Sequence, residues 1–220
     1  MMKNDAPYDD APGIPGTRLD QRIGIFVDVQ NMFYSAKLLH NGKIDYGALL
    51  SEIAGGRQLV RAIAYIIQKA DVNQSGFHGA LERMGYELRI KELKIRSDNT
   101  AKGNWDVGLT VDAMNLASKL DVVALVTGDG VFAPLAYSLR SSGCRVEVFS
   151  FDGSTANDLI RACDRYYAIP EHVVFRSQRR DESSGDSDYF GDSNDDSMES
   201  DGSDVENNRR PGIGEFDDDQ

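Results

Sequence analysis

The sequence predicts an α/β domain with a doubly wound, mainly parallel sheet of about five strands and helices on both faces. Two observations support this fold class. Short apolar runs rich in Val, Ile, Leu or aromatic residues alternate with longer amphipathic runs, and such alternation favours right-handed crossovers between parallel strands. The predicted strands are residues 23–28, 58–67, 86–96, 121–127 and 144–150, and the predicted helices are residues 31–40, 45–54, 74–84, 104–119, 131–142 and 155–165.

The charge of the chain divides it into a nearly neutral body and an acidic tail. Of the 36 acidic and 24 basic residues, 15 acidic and 4 basic ones lie in residues 177–220, so this segment carries almost all of the net charge of −12. It is rich in Ser, Asp, Gly and Asn, and its few apolar residues cannot offset the entropy of ordering. We therefore expect a disordered N-terminus over residues 1–20, one domain over residues 21–176, and a disordered acidic tail over residues 177–220.

Composition and spacing argue against several classes of protein. Cys144 and Cys163 are isolated, and neither they nor the 3 His residues fall at zinc-ligand spacing. The N-terminal residues lack the apolar core of a signal peptide, and no apolar stretch is long enough to cross a bilayer. The sequence thus predicts a soluble, cytoplasmic protein with no membrane partner.

Two apolar, strand-like runs of the chain each end on an aspartate. The runs are Ile23-Gly-Ile-Phe-Val-Asp28 and Val122-Val-Ala-Leu-Val-Thr-Gly-Asp129. Because open α/β sheets build their sites at the carboxyl ends of neighbouring parallel strands, we expect the two carboxylates to meet at that edge. Like charges at short distance raise each other's pKa or need a cation between them. The pair therefore predicts a divalent metal site and phosphate chemistry.

The residues after the first strand refine this prediction. Asp28 is followed by Val29, Gln30 and Asn31, so a carboxylate and an amide stand at one strand-to-helix turn. The carboxylate can bind a metal and the amide can hold a phosphate oxygen or an attacking water; alternatively, Asn31 is a helix N-cap and Asp28 a turn residue. An aspartate behind four apolar residues is costly to desolvate, which favours function. An aspartyl-phosphate phosphatase would need a second Asp where Gln30 stands, and no glycine-rich nucleotide loop follows the strand.

A third aspartate, Asp106, lies in the first turn of the predicted helix 104–119. It ends the run Lys102-Gly-Asn-Trp-Asp106. Asp106 is either a metal ligand or a partner of the helix dipole, which favours negative charge in the first turn. Asp112 lies about 120° further around the helix, and the sequence leaves open whether it is solvated or supports the site from behind. We expect Trp105 to pack in the core or rim rather than to stack on a base. Residues 32–34 are likewise expected to pack the first helix on the sheet.

Glycines flank the aspartate that follows the later strand. In Thr127-Gly-Asp-Gly-Val-Phe132 they allow a tight turn that leaves the Asp129 carboxylate exposed at the strand end. A bare Gly-Asp-Gly is a common turn signal. Its place directly after Val-Val-Ala-Leu-Val makes Asp129 a candidate ligand.

Together these motifs resemble the NYN domain, in its LabA-like branch of the PIN-like nuclease superfamily. The resemblance covers roughly residues 22–170 and runs in order through Asp28-Val-Gln-Asn31, Lys102-Gly-Asn-Trp-Asp106-Val-Gly-Leu-Thr-Val-Asp112, Thr127-Gly-Asp-Gly-Val-Phe-Ala-Pro-Leu135 and Leu159-Ile-Arg-Ala-Cys-Asp164-Arg-Tyr. It implies a parallel sheet flanked by helices and a ribonuclease site that uses Mg²⁺ or Mn²⁺. By position, Asp28, Asp106 and Asp129 match the family's metal-binding acidic residues, and Asn31 matches its polar residue after the first strand.

One position departs from the family pattern. Relatives commonly have Gly-Asp-Gly-Asp-Phe, whereas this chain has Val131 in place of the second aspartate. The loss of one carboxylate predicts weaker Mg²⁺ binding or the loss of one of two metals. Asp158 or Asp152, in the loop and helix after the last predicted strand, could compensate for the missing carboxylate. Asp158 could do so by contacting the metal ligands rather than the metal.

Basic residues near Asp106 form a candidate RNA-binding surface. The predicted strand 86–96 alternates apolar residues with Arg89, Lys91, Lys94 and Arg96. An edge strand protected by charge against aggregation would show the same pattern. Lys102 follows in the loop that leads to Asp106, and we expect it to contact phosphate, with Lys94 and Arg96 beside it.

Two functions follow from these residues. The first is a metal-dependent ribonuclease, in which the three aspartates hold the metal while Asn31 and Lys102 position the phosphate. The second is an RNA-binding or regulatory adaptor that keeps the fold without catalysis, and it is motivated by Val131. RNA is the expected partner in both cases, and a homo-oligomer is compatible with both.

Overall fold

The computed structural model describes residues 18–68, 72–95 and 101–176 of the chain. In chain order, its strands and helices are β1 (Arg22–Asp28), α1 (Val29–His40), β2 (Gly42–Ile44), α2 (Tyr46–Ala54), β3 (Gln58–Gln68), α3 (Ser75–Arg83), β4 (Glu87–Glu92), β5 (Lys94–Ile95), β6 (Ala101–Lys102), α4 (Asp106–Ala117), β7 (Val122–Val126), α5 (Ala133–Ser141), β8 (Arg145–Ser150), α6 (Asn157–Ala162), β9 (Arg165–Ala168) and β10 (Val174–Arg176). Short 3-10 turns cover Gly130–Phe132 and Glu171–Val173.

The central sheet is parallel, with the strand order β4-β3-β1-β7-β8-β9. β1 lies near the middle and pairs with β3 on one side and β7 on the other. The chain winds outward from β1 to β4 and then from β7 to β9 in the opposite direction. The reversal falls between β1 and β7, and ligand sites of open α/β sheets lie at such a point.

Both faces of the sheet are covered, as parallel strands require. Every residue of β7 is buried. In β1, Ile25 faces a core that includes residues of α1 and α2, and Phe26 faces a second core that includes residues of α4, α5 and α6. This arrangement confirms the predicted doubly wound α/β fold.

The predicted helix over residues 155–165 was wrong in its C-terminal part. α6 ends at Ala162, and Cys163 is already extended, with φ −86° and ψ 166°. Asp164 then accepts a hydrogen bond from the Val146 N–H at 2.8 Å, and β9 follows as a sixth strand beside β8. Pairing with β8 outweighs the local helical pattern, and the aromatic residues of β9 suit a strand.

The strand predicted over residues 86–96 divides in two. β4 pairs with β3 as far as Glu92, and the Leu93 N–H donates to the Gln68 carbonyl at 2.8 Å. The chain then leaves the sheet, and β5 pairs with β6 in an antiparallel hairpin. Apolar alternation is the same in a sheet and in a hairpin, so the pattern alone could not reveal the change of partner.

The ends of the chain are described only in part. Residues 18–21 form a turn in which the Gln21 N–H donates to the Arg18 carbonyl at 3.2 Å. Residues 1–17 and the acidic tail from residue 177 lie outside the described residues, so their disorder stays a prediction. None of the helices in the described part of the chain has the length and apolar character of a membrane span.

Candidate active site

A cleft of about 600 Å³ opens at the carboxyl ends of β1 and β7, where the winding direction reverses. Asp28, Asp106 and Asp129 all line it. Asp28 ends β1, Asp106 begins α4, and Asp129 follows β7. The structure thus brings together the three aspartates that the sequence predicted as metal ligands.

Asp28 is oriented from two sides. Its Oδ1 accepts a hydrogen bond from the Asn31 N–H at 3.1 Å, which caps α1, and its Oδ2 accepts one from the Thr127 hydroxyl at 3.5 Å. The Thr127 Oγ1 also accepts the Asp129 N–H at 3.2 Å. Thr127 is fully buried and joins the two strand-ending aspartates. Sequence reasoning missed this role; the available signal was a hydroxyl between an all-apolar strand and Gly-Asp-Gly.

The carboxylates of the cleft repel one another. Burial raises the pKa of Asp28 to about 6, and the charges of Asp129 and Asp106 add to this increase. Burial also raises the pKa of Asp106, with the charge of Asp129 as the next cause. A cation among these side chains would favour their ionised forms.

The donor chemistry of the cleft fits a hard divalent cation. Carboxylate oxygens are the ligands that Mg²⁺ and Mn²⁺ prefer, and Asp129 is exposed at the mouth of the cleft. Across the described ranges, no three acidic, His or Cys side chains stand close enough to form a ready ligand cage. Mg²⁺ keeps several of its waters and takes only one or two carboxylates directly. The aspartates therefore suit a hydrated ion.

Asn31 has a structural contact as well as a place in the cleft. Its Oδ1 accepts the Gly128 N–H at 2.8 Å, which ties α1 to the turn after β7. This turn leaves no room for a side chain, because a Cβ on Gly128 would lie 2.5 Å from the Ser154 carbonyl oxygen. The Asn31 amide NH₂ is the group that can contact a phosphate.

The segment before α4 positions Asp106. The Asn104 amide donates to Asp106 Oδ2, and Lys91 Nζ donates to the Asn104 carbonyl at 2.9 Å. Lys91 Nζ also lies 4.7 Å from the centroid of the Trp105 ring, and Trp105 Nε1 donates to the Ile66 carbonyl at 2.9 Å. Trp105 therefore packs at the edge of the sheet and forms part of the cleft wall.

Comparison with known proteins agrees with this geometry. The NYN domain family model matches residues 22–170. The chain belongs to the NYN domain family. The family is part of the PIN-like nuclease superfamily, so the resemblance inferred from the motifs is confirmed.

Two relatives of this NYN domain show how far the similarity extends. The "Low amplitude and bright protein LabA" of Synechococcus elongatus is 34% identical over 158 residues, which cover 66% of this chain and 82% of that protein. A crystal structure of VPA0982, a protein of unknown function from Vibrio parahaemolyticus, aligns with a TM-score of 0.66 and 33% identity. That alignment covers 72% of this chain and 99% of the other.

The remaining acidic candidates of the NYN domain lie away from the cleft. Asp112 accepts hydrogen bonds from the Tyr65 hydroxyl at 3.0 Å and from Arg89 Nε at 3.3 Å, so it reaches the cleft only through Tyr65. Asp158 pairs with Arg161, and its side chain is 74% exposed. Asp152 accepts the Tyr166 hydroxyl at 2.9 Å. These contacts do not support Asp158 or Asp152 as replacements for a missing ligand.

Val131 stands beside Asp129 but does not line the cleft. Its N–H donates to Asp129 Oδ1 at 2.9 Å, and its side chain is half exposed. The backbone at this position therefore orients the Asp129 carboxylate. The side chain contributes no ligand.

Two of the basic candidates, Lys94 and Lys102, belong to the hairpin that leads to Asp106. Lys94 and Lys102 are paired in the backbone register of β5 and β6, and Gly103, which follows, lines the cleft. Arg96 lies outside the described residues. Phosphate contacts by these three residues stay predictions, whereas Lys91 is a cation that the structure places beside Asn104 and Trp105.

The expected packing of residues 32–34 was wrong for one residue. Met32 is fully buried, but Tyr34 is 47% exposed and lines the cleft. Two helical positions differ by about 200°, so Met32 and Tyr34 cannot both face the sheet.

Proposed function

We propose that this NYN domain is a divalent-metal-dependent ribonuclease that hydrolyses RNA phosphodiester bonds in the aspartate cleft. The observation that carries the proposal is the convergence of Asp28, Asp106 and Asp129 in one cleft, where burial and mutual repulsion raise the pKa of Asp28 to about 6. The position of the cleft at the reversal of the sheet supports a ligand site. Membership of the PIN-like nucleases supports RNA as substrate.

The residues of the cleft have distinct parts in this proposal. Asp28, Asp106 and Asp129 would hold Mg²⁺ or Mn²⁺, which supplies a water of lowered pKa and a positive charge beside the phosphate when bound. Thr127 keeps Asp28 and Asp129 in position through its hydroxyl. The Asn31 amide NH₂ donates to a phosphate oxygen while its Oδ1 stays bound to Gly128.

The Asp28→Asn variant tests the proposal. Asn retains the size of the side chain and an acceptor for the N-cap of α1, but it removes the negative charge that binds metal. We expect cleavage of a labelled RNA with Mg²⁺ or Mn²⁺ to fall on the order of 100-fold or more. Asp158→Asn is the matched control, because its exposed carboxylate lies off the cleft and should leave cleavage unchanged.

Two results would reject the ribonuclease proposal. One is a purified chain that cuts no RNA with either metal under conditions in which an active relative does. The other is an Asp28→Asn variant that cuts as fast as the wild type.

Val131 favours a second candidate function, an RNA-binding or regulatory adaptor without catalysis. A half-exposed valine stands where the family pattern has a carboxylate. The adaptor would bind RNA in a salt-sensitive manner without metal, and Asp28→Asn would leave that binding unchanged. Cleavage that Asp28→Asn abolishes would decide against it.

The cysteines support the proposed cytoplasmic location. Cys144 and Cys163 are both free thiols in the structure. Disulfides are rare in reducing compartments, so free thiols are compatible with that location.

A further inference from the structure

The helix α1 presents to the cleft an uncharged, largely apolar face that the core does not bury. We call this face the α1 wall and define it as Gln30, Tyr34, Leu38 and Leu39, which line the cleft together with the aspartates. Tyr34, Leu38 and Leu39 are 47%, 82% and 40% exposed. α1 already buries a separate stripe that includes Val29, Met32 and Ala36. Packing on the sheet therefore does not account for the α1 wall.

The spacing of the α1 wall aligns it with the aspartates. Gln30, Tyr34 and Leu38 are four residues apart, so they follow one line along the helix. Asp28 caps the same helix. At 1.5 Å per residue, Tyr34 lies about 9 Å further along the axis. A ligand that is bound at Asp28 and is larger than a phosphate can therefore extend along the α1 wall.

Tyr34 is the aromatic ring of the cleft that can accept a stacked ligand. Phe33 supports it edge-on, with ring centroids 5.5 Å apart and an interplanar angle of 74°. Tyr65 is 1% exposed, so its ring is not accessible. The Trp105 ring already has two neighbours. Lys91 Nζ lies over it, and the centroid of the Tyr65 ring is 5.6 Å from the centroid of the Trp105 ring.

The two ends of the cleft match the two chemical parts of a nucleotide, its phosphate and its base. The aspartate end suits a phosphate that is bridged by a cation, and the α1 wall suits a flat π surface. Bases stack on aromatic side chains with little sequence preference, because every base has a π face. The α1 wall carries no charged side chain that would select for the sugar-phosphate backbone instead.

We propose that Tyr34, extended by Leu38, is a nucleobase subsite that stacks the base of a nucleotide whose phosphate lies at the aspartates. The position of the phosphate rests on the proposed function, whereas stacking on Tyr34 does not require cleavage. Tyr34 acts as a positioning residue, since it holds the base and not the reacting atoms.

Binding of two probes by the full chain tests the subsite. The probes are a fluorescent oligoadenylate of 12 nucleotides and an abasic ribose-phosphate oligomer of the same length and charge. Both probes carry phosphorothioate linkages, which keep the charge and resist hydrolysis, and fluorescence anisotropy is measured in EDTA and again with Mg²⁺. We expect Tyr34→Ala to weaken oligoadenylate binding by about five-fold or more and to leave the abasic oligomer unaffected.

Two further variants isolate the aromatic ring. Tyr34→Phe keeps the ring and should bind oligoadenylate as the wild type does. Tyr137→Ala removes a tyrosine of similar exposure, 52%, that lies on α5 and does not line the cleft, so it should change neither binding constant. The thermal unfolding midpoint of each variant shows whether the fold is intact.

The remaining outcomes would reject the proposed subsite, and each would do so for a different reason. If Tyr34→Ala weakens both probes equally, or neither, the ring does not hold a base. If the wild-type chain binds both probes equally, the subsite is wrong and the aspartate cleft remains a phosphate site. If the wild-type chain binds neither probe with or without Mg²⁺, the proposed function fails with it.

Discussion

At the scale of single residues, the ionisation of Asp28 makes the stability of the fold depend on pH. Its pKa of about 6 in the folded chain lies above the ordinary value of 3.8 because the carboxyl group is buried. The folded state therefore binds this proton more tightly than the unfolded state does. The free energy of unfolding falls as the pH rises from about 4 to about 6, and the penalty is complete above pH 6.

Removal of this charge should stabilise the metal-free protein. We expect Asp28→Asn to raise the free energy of unfolding by up to about 3 kcal/mol at pH 8, because the pKa of Asp28 is about 6 in the folded chain and 3.8 ordinarily. The gain should shrink below pH 6 and vanish near pH 4. Urea unfolding in EDTA between pH 4 and pH 8 measures it. A difference between variant and wild type that is independent of pH would contradict this assignment.

Val131 is the residue that departs from the family pattern, in which an aspartate stands at this position. Its side chain is 50% exposed, so Val131→Asp should change the free energy of unfolding by no more than about 0.5 kcal/mol. A carboxylate next to Asp129 should tighten Mn²⁺ binding and raise the cleavage rate, because more acidic ligands hold the ion.

Calorimetric titration of Mn²⁺ and RNA cleavage assays together test this effect. Val111→Asp is a matched control, since Val111 is 49% exposed on α4 and does not line the cleft. Equal gains in both variants would mean that net charge, and not the position of residue 131, controls metal binding.

At the scale of elements, the start of α4 depends on close packing over Trp105. Gly108 lies in the first turn, where an added Cβ would stand 2.4 Å from Cε3 of the Trp105 ring. Trp105 is in turn held by its hydrogen bond to the Ile66 carbonyl. The absence of a side chain at Gly108 therefore lets α4 begin beside the cleft and place Asp106 there.

Gly108→Ala should disturb the packing of α4 against Trp105. We expect a loss of about 1–3 kcal/mol in the free energy of unfolding, as for other overpacked sites, together with a shift in tryptophan emission. The emission reports on this site alone because the chain has 1 Trp. Gly76→Ala in α3 is the control, since nothing lies within 4 Å of its added Cβ, and it should be neutral or stabilising. Unchanged emission in Gly108→Ala would show that the added methyl group fits without moving the Trp105 ring.

At the scale of the whole molecule, a buried ion pair ties the α2 layer to the sheet. Arg57, which follows α2, donates from Nη1 to Glu147 Oε2 at 2.9 Å, and both side chains are 0% exposed. Arg57 Nη2 also donates to the Ile53 carbonyl at 2.7 Å, and Arg145 Nε lies 3.0 Å from Glu147 Oε1. Removal of one partner would leave a buried charge without compensation.

Glu147→Ala should lower the free energy of unfolding by about 3–5 kcal/mol. A double variant, Arg57→Met with Glu147→Leu, should recover part of that loss because it leaves no unpaired charge from this pair. Asp20→Ala breaks an exposed pair with Arg18 and should have no measurable effect. Urea unfolding compares the three. A loss in Glu147→Ala no larger than that in Asp20→Ala would show that water reaches the pair.

The sequence by itself determined the fold class and three acidic residues of the cleft. The apolar pattern of β1 and β7 is visible in the chain, and Asp28 and Asp129 follow these two strands. In a parallel sheet, strand ends of the same polarity meet at one edge, which predicted that Asp28 and Asp129 would lie close together. Asp106 was predicted from its place in the first turn of a helix and from the family resemblance.

Only the tertiary structure decided which other residues take part and which do not. The Thr127 hydroxyl reaches Asp28 across 99 positions of the chain, and Asn31 reaches Gly128 across 97. Asp158 turns to Arg161 instead of the cleft. β9 forms because β8 offers a partner, and Tyr34 faces the cleft because Met32 occupies the sheet side of α1. The contacts of Thr127 and Asn31 and the pairing of β9 join segments that are separate in the chain, which local patterns of polarity do not encode.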